Sequence, residues 1–156
     1  MSESSATRTG QCLCGAIKYS LSGPSATPIY STVCHCLNCR RVTGSAFLCA
    51  SICHKEGFQI TEGASHQKEY RDIATDSGTK LMRVSCDICS SKLFAYTALN
   101  ENIVSVTAGT LDDFDSWKPD TEQWCIHRAG FLEKVKAVEY ERTYKCAVRG
   151  EVEEKP

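Results

Sequence analysis

The chain carries the stretch Cys86-Asp87-Ile88-Cys89 near its middle. A C-x-x-C pair curls so that both sulfurs face one point, where they can share a metal ion. The start of the chain supplies a second pair in Cys12-Leu13-Cys14-Gly15. Because structural zinc is almost always bound by four ligands, the two pairs together predict one closed four-sulfur site. Such a site would join the start of the chain to its middle and close the fold.

A third cluster, Cys34-His35-Cys36-Leu37-Asn38-Cys39, lies between the other two. Three cysteines without an obvious fourth ligand are typical of a catalytic zinc site that keeps one position open. If the segment is extended, the side chain of His35 points away from the metal, and we expect it to make a hydrogen bond elsewhere. Alternatively, another residue completes a second closed site. The residues available for this are Cys49, Cys53, His54, Cys125 and His127.

Cysteine is abundant, with 11 in a chain of 156 residues. In a secreted protein this content would indicate disulfides, but residues 1–10 lack the apolar stretch of a signal peptide. We therefore predict a cytoplasmic protein whose closely spaced cysteines bind metal. The remaining cysteines, Cys49, Cys53, Cys125 and Cys146, are expected to be small buried apolar residues.

Charge and length limit the remaining possibilities. The formal net charge is −1, so no positive surplus is available for phosphates, and neither nucleic acid nor a membrane surface is predicted as a partner. No apolar run reaches the roughly 20 residues that span a bilayer. The length predicts one domain over residues 10–145, with a disordered tail over 1–9 and a charged tail over 146–156.

The hydrophobic pattern predicts a mainly β fold, a small antiparallel sheet domain with little helix. Ile17, Tyr19 and Leu21 alternate with polar residues and should share the buried face of a strand. A short helix is predicted over Leu37–Thr43, and the segment 131–138 is ambiguous. Further strands are predicted at 29–33, 47–52, 58–61, 81–85, 93–96 and 103–108, with a weaker candidate at 124–126.

The open site formed by Cys34, Cys36 and Cys39 would favour a thiol ligand. Three thiolates outweigh the two charges of zinc, so the site would be negative and would activate water poorly. It would also be soft, and a thiol entering the fourth position would bind as thiolate. The pattern therefore favours a thiol substrate over amide hydrolysis.

In these residues the chain resembles the family of glutathione-dependent formaldehyde-activating enzymes, also named for centromere protein V. The resemblance rests on residues 10–19, 34–47, 86–89 and 109–113. It implies a β-rich zinc fold with two zinc ions per chain, shared with a chaperone of Rab-type GTPases. The implied structural ligands are Cys12, Cys14, Cys86 and Cys89, and the implied catalytic ligands are Cys34, Cys36 and Cys39.

The resemblance implies carbon–sulfur lyase activity, with glutathione or a similar thiol as the small-molecule partner. Arg40 and Arg41 follow the open site and could bind a substrate carboxylate, although a solvated pair is the alternative. Thr43 and Ser45 could supply further contacts or form a plain turn. The other function that the sequence allows is a non-catalytic zinc module or chaperone that binds a protein.

Two departures from the family pattern leave the physiological substrate open. Ser90 stands after the last cysteine of its cluster where the family often has glycine, so a left-handed turn there would carry a modest cost. Phe114 stands where many members have proline, in a loop of the kind that sets specificity. Just before it, Asp112 and Asp113 could act as a base or cap a turn.

Overall fold

The structure is a computed structural model that describes residues 6–75 and 78–134. A smaller sheet has the strand order β1-β2-β5, and a larger sheet has the order β10-β3-β4-β9-β8-β7-β6. The smaller sheet contains β1 (Arg8–Gln11), β2 (Lys18–Leu21) and β5 (Phe58–Glu62). The larger contains β3 (Tyr30–Cys34), β4 (Leu48–His54), β6 (Gln67–Asp72), β7 (Leu81–Cys86), β8 (Lys92–Thr97), β9 (Ile103–Thr107) and β10 (Thr121–Gln123).

One α-helix, α1 (Leu37–Thr43), and several short 3-10 turns connect the strands within the described residues. Cys36 is the N-cap of α1, and its sulfur accepts a hydrogen bond from the backbone N–H of Cys39. The helix ends at Gly44, whose φ of 63° is the left-handed conformation that favours glycine. The 3-10 turns are Gly23–Ser25, Ala64–His66, Ala108–Thr110, Phe114–Ser116 and Cys125–His127.

Strand direction places two of the cysteine clusters at one edge of the larger sheet. Neighbouring strands are antiparallel, except that β10 pairs parallel with β3. Consequently β3 and β7 run in the same direction. Their last residues, Cys34 and Cys86, lie at the same edge.

Tyr19 lies at the centre of the core between the two sheets. Its ring meets Phe94 edge-on with centroids 5.0 Å apart, and Phe58 meets Phe94 at 4.9 Å. The Tyr19 hydroxyl lies 2.7 Å from Thr110 Oγ1, so the buried polar end of the ring has a partner. Gly10 packs so closely on this ring that a Cβ at that position would lie 2.2 Å from the hydroxyl oxygen.

The opposite face of the larger sheet is covered by α1. Along β9, Val104 and Val106 are fully buried in the core, so Ser105 and Thr107 face the other way. Both of these residues line a small pocket together with Val42 of α1. The helix that follows Cys36 therefore lies across the sheet rather than in solvent.

The predicted mainly β fold with little helix is confirmed. The helix Leu37–Thr43 has the predicted bounds, and Ile17, Tyr19 and Leu21 are each at most 1% exposed. The strands β3, β4, β5, β7, β8 and β9 lie where the pattern predicted them, within two residues. No helix in the described ranges has the length and apolar character needed to cross a bilayer.

Other predictions differ from the structure. The strand candidate at 124–126 is wrong, because Trp124 has a φ of 57° and begins a 3-10 turn instead. The strands β1, β6 and β10 were not predicted. Of the ambiguous segment, residues 135–138 lie outside the described residues, as do the predicted C-terminal tail and residues 1–5.

The predicted N-terminal tail over 1–9 overlaps a strand, because β1 begins at Arg8. The guanidinium of Arg8 donates two hydrogen bonds to the carboxylate of Asp113, at 2.7 and 2.9 Å. Thr9 Oγ1 donates to Asp112 at 2.6 Å. These side-chain bonds hold the start of the chain against the loop after β9, which corrects the predicted boundary.

Gly63 lies in the connection between the two sheets, after β5 and before β6. Substituting it tests whether the close packing of this connection supports the fold. Its φ is 71°, and a Cβ there would lie 1.8 Å from the carbonyl oxygen of Ala16. We expect Gly63→Ala to reduce the free energy of unfolding by at least about 2 kcal/mol more than Gly23→Ala does. Gly23 is the matched control, because it also has a positive φ (52°) but has no neighbouring atom within 4 Å of the added Cβ. Urea unfolding at fixed zinc concentration measures the difference, and equal losses would contradict the steric argument.

Candidate functional site

Four cysteines from two distant turns converge to form what we call the four-cysteine cluster. Its members are Cys12, Cys14, Cys86 and Cys89, whose sulfurs all lie within 4.8 Å of one another. The Cys12 and Cys14 sulfurs are 3.6 Å apart, and the Cys14 and Cys86 sulfurs are 3.8 Å apart. Tetrahedral zinc with bonds of 2.3 Å would place its sulfurs about 3.8 Å apart. The spacing of these donors therefore fits one metal ion.

Each of the two turns in this cluster is closed by a backbone hydrogen bond to the carbonyl of a cysteine. In the first, Gly15 N–H donates to the carbonyl of Cys12 at 3.0 Å, and in the second, Ser90 N–H donates to the carbonyl of Cys86 at 3.0 Å. Both donors have left-handed backbone, with φ of 74° at Gly15 and 60° at Ser90. Ser90 thus adopts the left-handed conformation, despite having a Cβ.

Hydrogen bonds to the sulfurs favour the thiolate form that metals bind. Ile17 N–H donates to Cys12 Sγ at 3.2 Å. The Ser91 hydroxyl lies 3.2 Å from Cys89 Sγ, and its hydrogen bond is the main reason that the pKa of Cys89 falls to about 5. Because only the thiolate is a good metal ligand, these bonds prepare the cluster for an ion.

A second group, the three-cysteine cluster, consists of Cys34, Cys36 and Cys39. Cys34 ends β3, Cys36 caps α1, and Cys39 lies in the first turn of that helix. Their sulfurs also lie within 4.8 Å of one another. A strand end that leads directly into a helix N-terminus brings three ligands together within six residues of chain.

No fourth ligand joins the three-cysteine cluster from the residues that the structure describes. The group contains three sulfurs and no further cysteine, histidine or carboxylate. Cys53 is fully buried in the core between the sheets, and Cys49 packs against that core. Cys125 is buried in a 3-10 turn, and Cys146 lies outside the described residues. The ten cysteines described form no disulfide.

The donor set of the three-cysteine cluster also fits a cation. The hydrogen bond from Cys34 is the main cause that lowers the pKa of Cys36 to about 2. The same contact raises the pKa of Cys34, because the proton is held between the two sulfurs. Three neighbouring sulfurs can all be thiolates only beside positive charge, and a metal ion supplies it. Both clusters could therefore hold metal ions, and soft sulfur donors are typical of zinc.

A buried chain of polar side chains holds the three-cysteine cluster on one side. His35 Nε2 donates to Glu122 Oε1 at 2.7 Å, and both side chains are 1% exposed. Arg128 donates to the two oxygens of Glu122, at 3.0 and 2.9 Å. Burial has the largest effect on the pKa of Glu122 and raises it. The hydrogen bonds from Arg128 and His35 together outweigh burial, so the pKa is lowered overall. The expected hydrogen bond from His35 away from the metal position is confirmed.

A second buried network contacts the cluster through α1 and Arg83. Asp72 at the end of β6 accepts hydrogen bonds from Arg83 Nε at 2.8 Å and from Asn38 Nδ2 at 3.1 Å. Burial lowers the pKa of Arg83, but Asp72 and the adjacent Cys39 sulfur outweigh burial and raise it. Asp72 thus fixes α1 to the sheet and directs a positive charge towards Cys39.

The predicted substrate residues take different places around α1. Thr43 Oγ1 donates to the carbonyl of Cys39 at 2.7 Å and accepts from Ser45 N–H at 3.3 Å, so both residues take part in ending the helix. Arg41 is exposed and lines a cleft beside the three-cysteine cluster. Arg40 is half-buried and does not line that cleft.

The carboxylates of Asp112 and Asp113, suggested as a base or a turn cap, both hydrogen-bond to β1. Their carboxylates bind Thr9 and Arg8 of β1, as described above, and Asp113 forms no side-chain cap on the 3-10 turn that it precedes. The hydrogen bonds from Arg8 are the main cause that lowers the pKa of Asp113. Trp117 packs against the core and donates to Ser51 Oγ at 2.9 Å.

Sequence reasoning missed the four charged residues around the three-cysteine cluster. They are Asp72, Arg83, Glu122 and Arg128. Each is separated from the cluster in sequence, and charged residues are usually exposed. Only the alternation in β7 was a signal, since Arg83 stands among the apolar residues of a predicted strand.

A protein family and a solved structure are similar to this chain. The model of the family described as glutathione-dependent formaldehyde-activating enzyme matches residues 7–127. No curated protein matches the chain. The crystal structure of a Rhodobacter sphaeroides protein aligns with a TM-score of 0.53 at 18% sequence identity, covering 67% of this chain and 87% of that one. This second likeness shows a shared fold.

Removing one sulfur tests the four-cysteine cluster. We expect Cys86→Ser to lose one metal equivalent and to unfold or aggregate, because structural zinc can contribute on the order of 10 kcal/mol to folding. Metal analysis and circular dichroism measure both effects. Cys49→Ser is the control, since Cys49 lies outside both clusters, and it should keep its metal. A folded Cys86→Ser protein with full zinc content would contradict the assignment.

Removing one charge tests the network behind His35. We expect Glu122→Gln to cost about 3 kcal/mol of unfolding free energy, because it removes the counter-charge of the largely buried Arg128. Glu62→Gln is the matched control, because Glu62 pairs with Lys18 at the surface and should contribute under about 0.5 kcal/mol. Urea unfolding of both variants at fixed zinc concentration gives the comparison. Equal small losses would mean that the Glu122 pair does not support the fold.

Proposed function

The chain belongs to the family of glutathione-dependent formaldehyde-activating enzymes, and from this premise we propose that it is a zinc-dependent carbon–sulfur lyase. Its proposed substrate is a thiol adduct of the glutathione type, such as S-hydroxymethyl glutathione, which it would form or cleave. Each chain would hold two zinc ions, a structural one in the four-cysteine cluster and a catalytic one in the three-cysteine cluster.

The observation that carries this proposal is the difference between the two clusters. Four sulfurs surround one point in the first, whereas only three do so in the second, among the described residues. Four sulfurs complete a zinc site, and three leave one position for substrate. A module that used zinc only to support its fold would have no need of the incomplete site.

The residues around the three-cysteine cluster would hold the reacting groups in place. A bound zinc ion would supply a soft Lewis acid that takes up the substrate sulfur as thiolate. Glu122 and Arg128 fix the ring of His35, and this fixes the segment between Cys34 and Cys36. Arg83 places a buried positive charge beside Cys39, which partly offsets the excess negative charge of three thiolates.

The reaction itself is a balanced exchange between a thiol adduct and its parts. In the cleavage direction, the carbon–sulfur bond of the S-hydroxymethyl group breaks and its electron pair stays on sulfur. The hydroxyl group loses its proton as the carbonyl of formaldehyde forms. The departing sulfur gains a proton, so the products are the free thiol and formaldehyde, and the reverse sequence joins them.

Cobalt substitution tests whether a thiol enters the three-cysteine cluster. Thiolate ligands give cobalt an intense charge-transfer band, and we expect added glutathione to strengthen this band in the cobalt-loaded protein. Cys36→Ala should abolish the increase, because it removes one ligand of the open site. Cys49→Ala, the matched control outside the clusters, should keep the response.

NMR exchange between glutathione, formaldehyde and their adduct would then report the catalysed reaction.

Two outcomes would decide against the lyase. If the cobalt spectrum already shows four thiolates at both sites and ignores added thiol, the second site is closed and the chain is a structural zinc module. If thiol binds but the exchange is no faster than in buffer, the site binds thiols without catalysing the lyase reaction. Either result would favour the alternative of a non-catalytic zinc module or chaperone.

A further inference from the structure

A cleft of about 350 Å³ lies between α1 and the strands β6 and β7. The helix contributes Asn38, Arg41 and Val42, which share one face at the spacing i, i+3 and i+4. The strands contribute Tyr70 and Arg83. Tyr70 is 64% exposed and stands at the rim, whereas Arg83 is 7% exposed and forms part of the floor.

The cleft directly adjoins the three-cysteine cluster. Arg83 touches both, since it lines the cleft and lies beside the Cys39 sulfur. Asn38 stands between the ligands Cys36 and Cys39 in the chain. The cleft is therefore within reach of the remaining atoms of a molecule whose sulfur lies at the cluster.

The charge of the cleft favours an anion. Its acidic residue, Asp72, is 5% exposed and already accepts hydrogen bonds from Arg83 Nε and Ala74 N–H. Asn38 Nδ2 donates to both of its carboxylate oxygens, at 3.2 and 3.1 Å. Arg83 therefore neutralises Asp72. Arg41 has no ion-pair partner among the described residues, so one guanidinium remains for a ligand. An unpaired guanidinium beside Val42 suits a carboxylate on a short apolar stem.

We propose that this cleft binds the carboxylate of the substrate thiol and that Arg41 is the residue that selects thiols carrying one. The inference rests on the proposed function, because it requires that a thiol sulfur enter the three-cysteine cluster. Arg40, its neighbour in the chain, does not line the cleft and takes no part in this selection.

Two small thiols of similar size test the proposal on the full-length, cobalt-loaded chain. We expect 3-mercaptopropionate, which has a carboxylate, to bind about tenfold more tightly than neutral 2-mercaptoethanol in titrations of the charge-transfer band. Arg41→Gln should remove this preference and leave the binding of 2-mercaptoethanol unchanged. Arg40→Gln is the matched control on the same helix, and it should keep the preference.

The outcomes separate the cleft from the function on which it rests. If both thiols bind equally well to the unchanged protein, the role of the cleft is overturned while the open thiol site stands. The same conclusion follows if Arg40→Gln and Arg41→Gln weaken the binding of 3-mercaptopropionate to the same extent. If neither thiol changes the spectrum, the proposed function fails and the cleft assignment falls with it. If Arg41→Gln, but not Arg40→Gln, abolishes the binding of both thiols, Arg41 supports the cluster rather than selecting a carboxylate. This result too would overturn the proposal.

Discussion

The convergence of four cysteine sulfurs is the constraint on which the rest of the structure depends. Cys12 and Cys14 lie in the turn after β1 of the smaller sheet, whereas Cys86 ends β7 of the larger sheet and Cys89 lies in the turn that follows it. Sulfurs this close repel one another as thiolates, and coordination of one shared metal ion would turn that repulsion into a crosslink between the sheets. The aromatic core around Tyr19 and the close approach at Gly63 both require the sheets to be held in that arrangement.

The three-cysteine cluster depends on a different kind of support. Its ligands come from one short segment, so local geometry alone brings them together, and distant residues are needed to hold that segment. Each side is held by a buried carboxylate paired with an arginine, Glu122 with Arg128 and Asp72 with Arg83. Such pairs contribute little net stability compared with apolar packing, but they fix orientation because each bond has a required direction. This combination would suit the proposed open site, whose ligands would have to stay in place when a substrate enters or leaves.

What the sequence could predict followed from local rules. Ligand spacing identified both clusters, and period-two alternation located β2, since Ile17, Tyr19 and Leu21 share one face of the sheet. By contrast, β1 and β6 consist largely of polar residues, so no hydrophobic alternation marks them. Contacts with distant residues hold them in place, such as the ion pair between Arg8 of β1 and Asp113. The sequence around Glu122 contains no local pattern that indicates a buried carboxylate. Its position depends on the parallel pairing of β10 with β3, which no short-range pattern encodes.

The positions of the residues in the chain also set the order in which the two clusters can be completed on the ribosome. All four cysteines of the first cluster have been synthesised once Cys89 has been added, so that crosslink can form while later residues are still being translated. His35 is separated from Glu122 by 87 positions, and Arg128 comes later still. A nascent chain would therefore have its sheets joined before the second cluster gains its support. The three-cysteine cluster would be exposed to cellular thiols and oxidants during that interval.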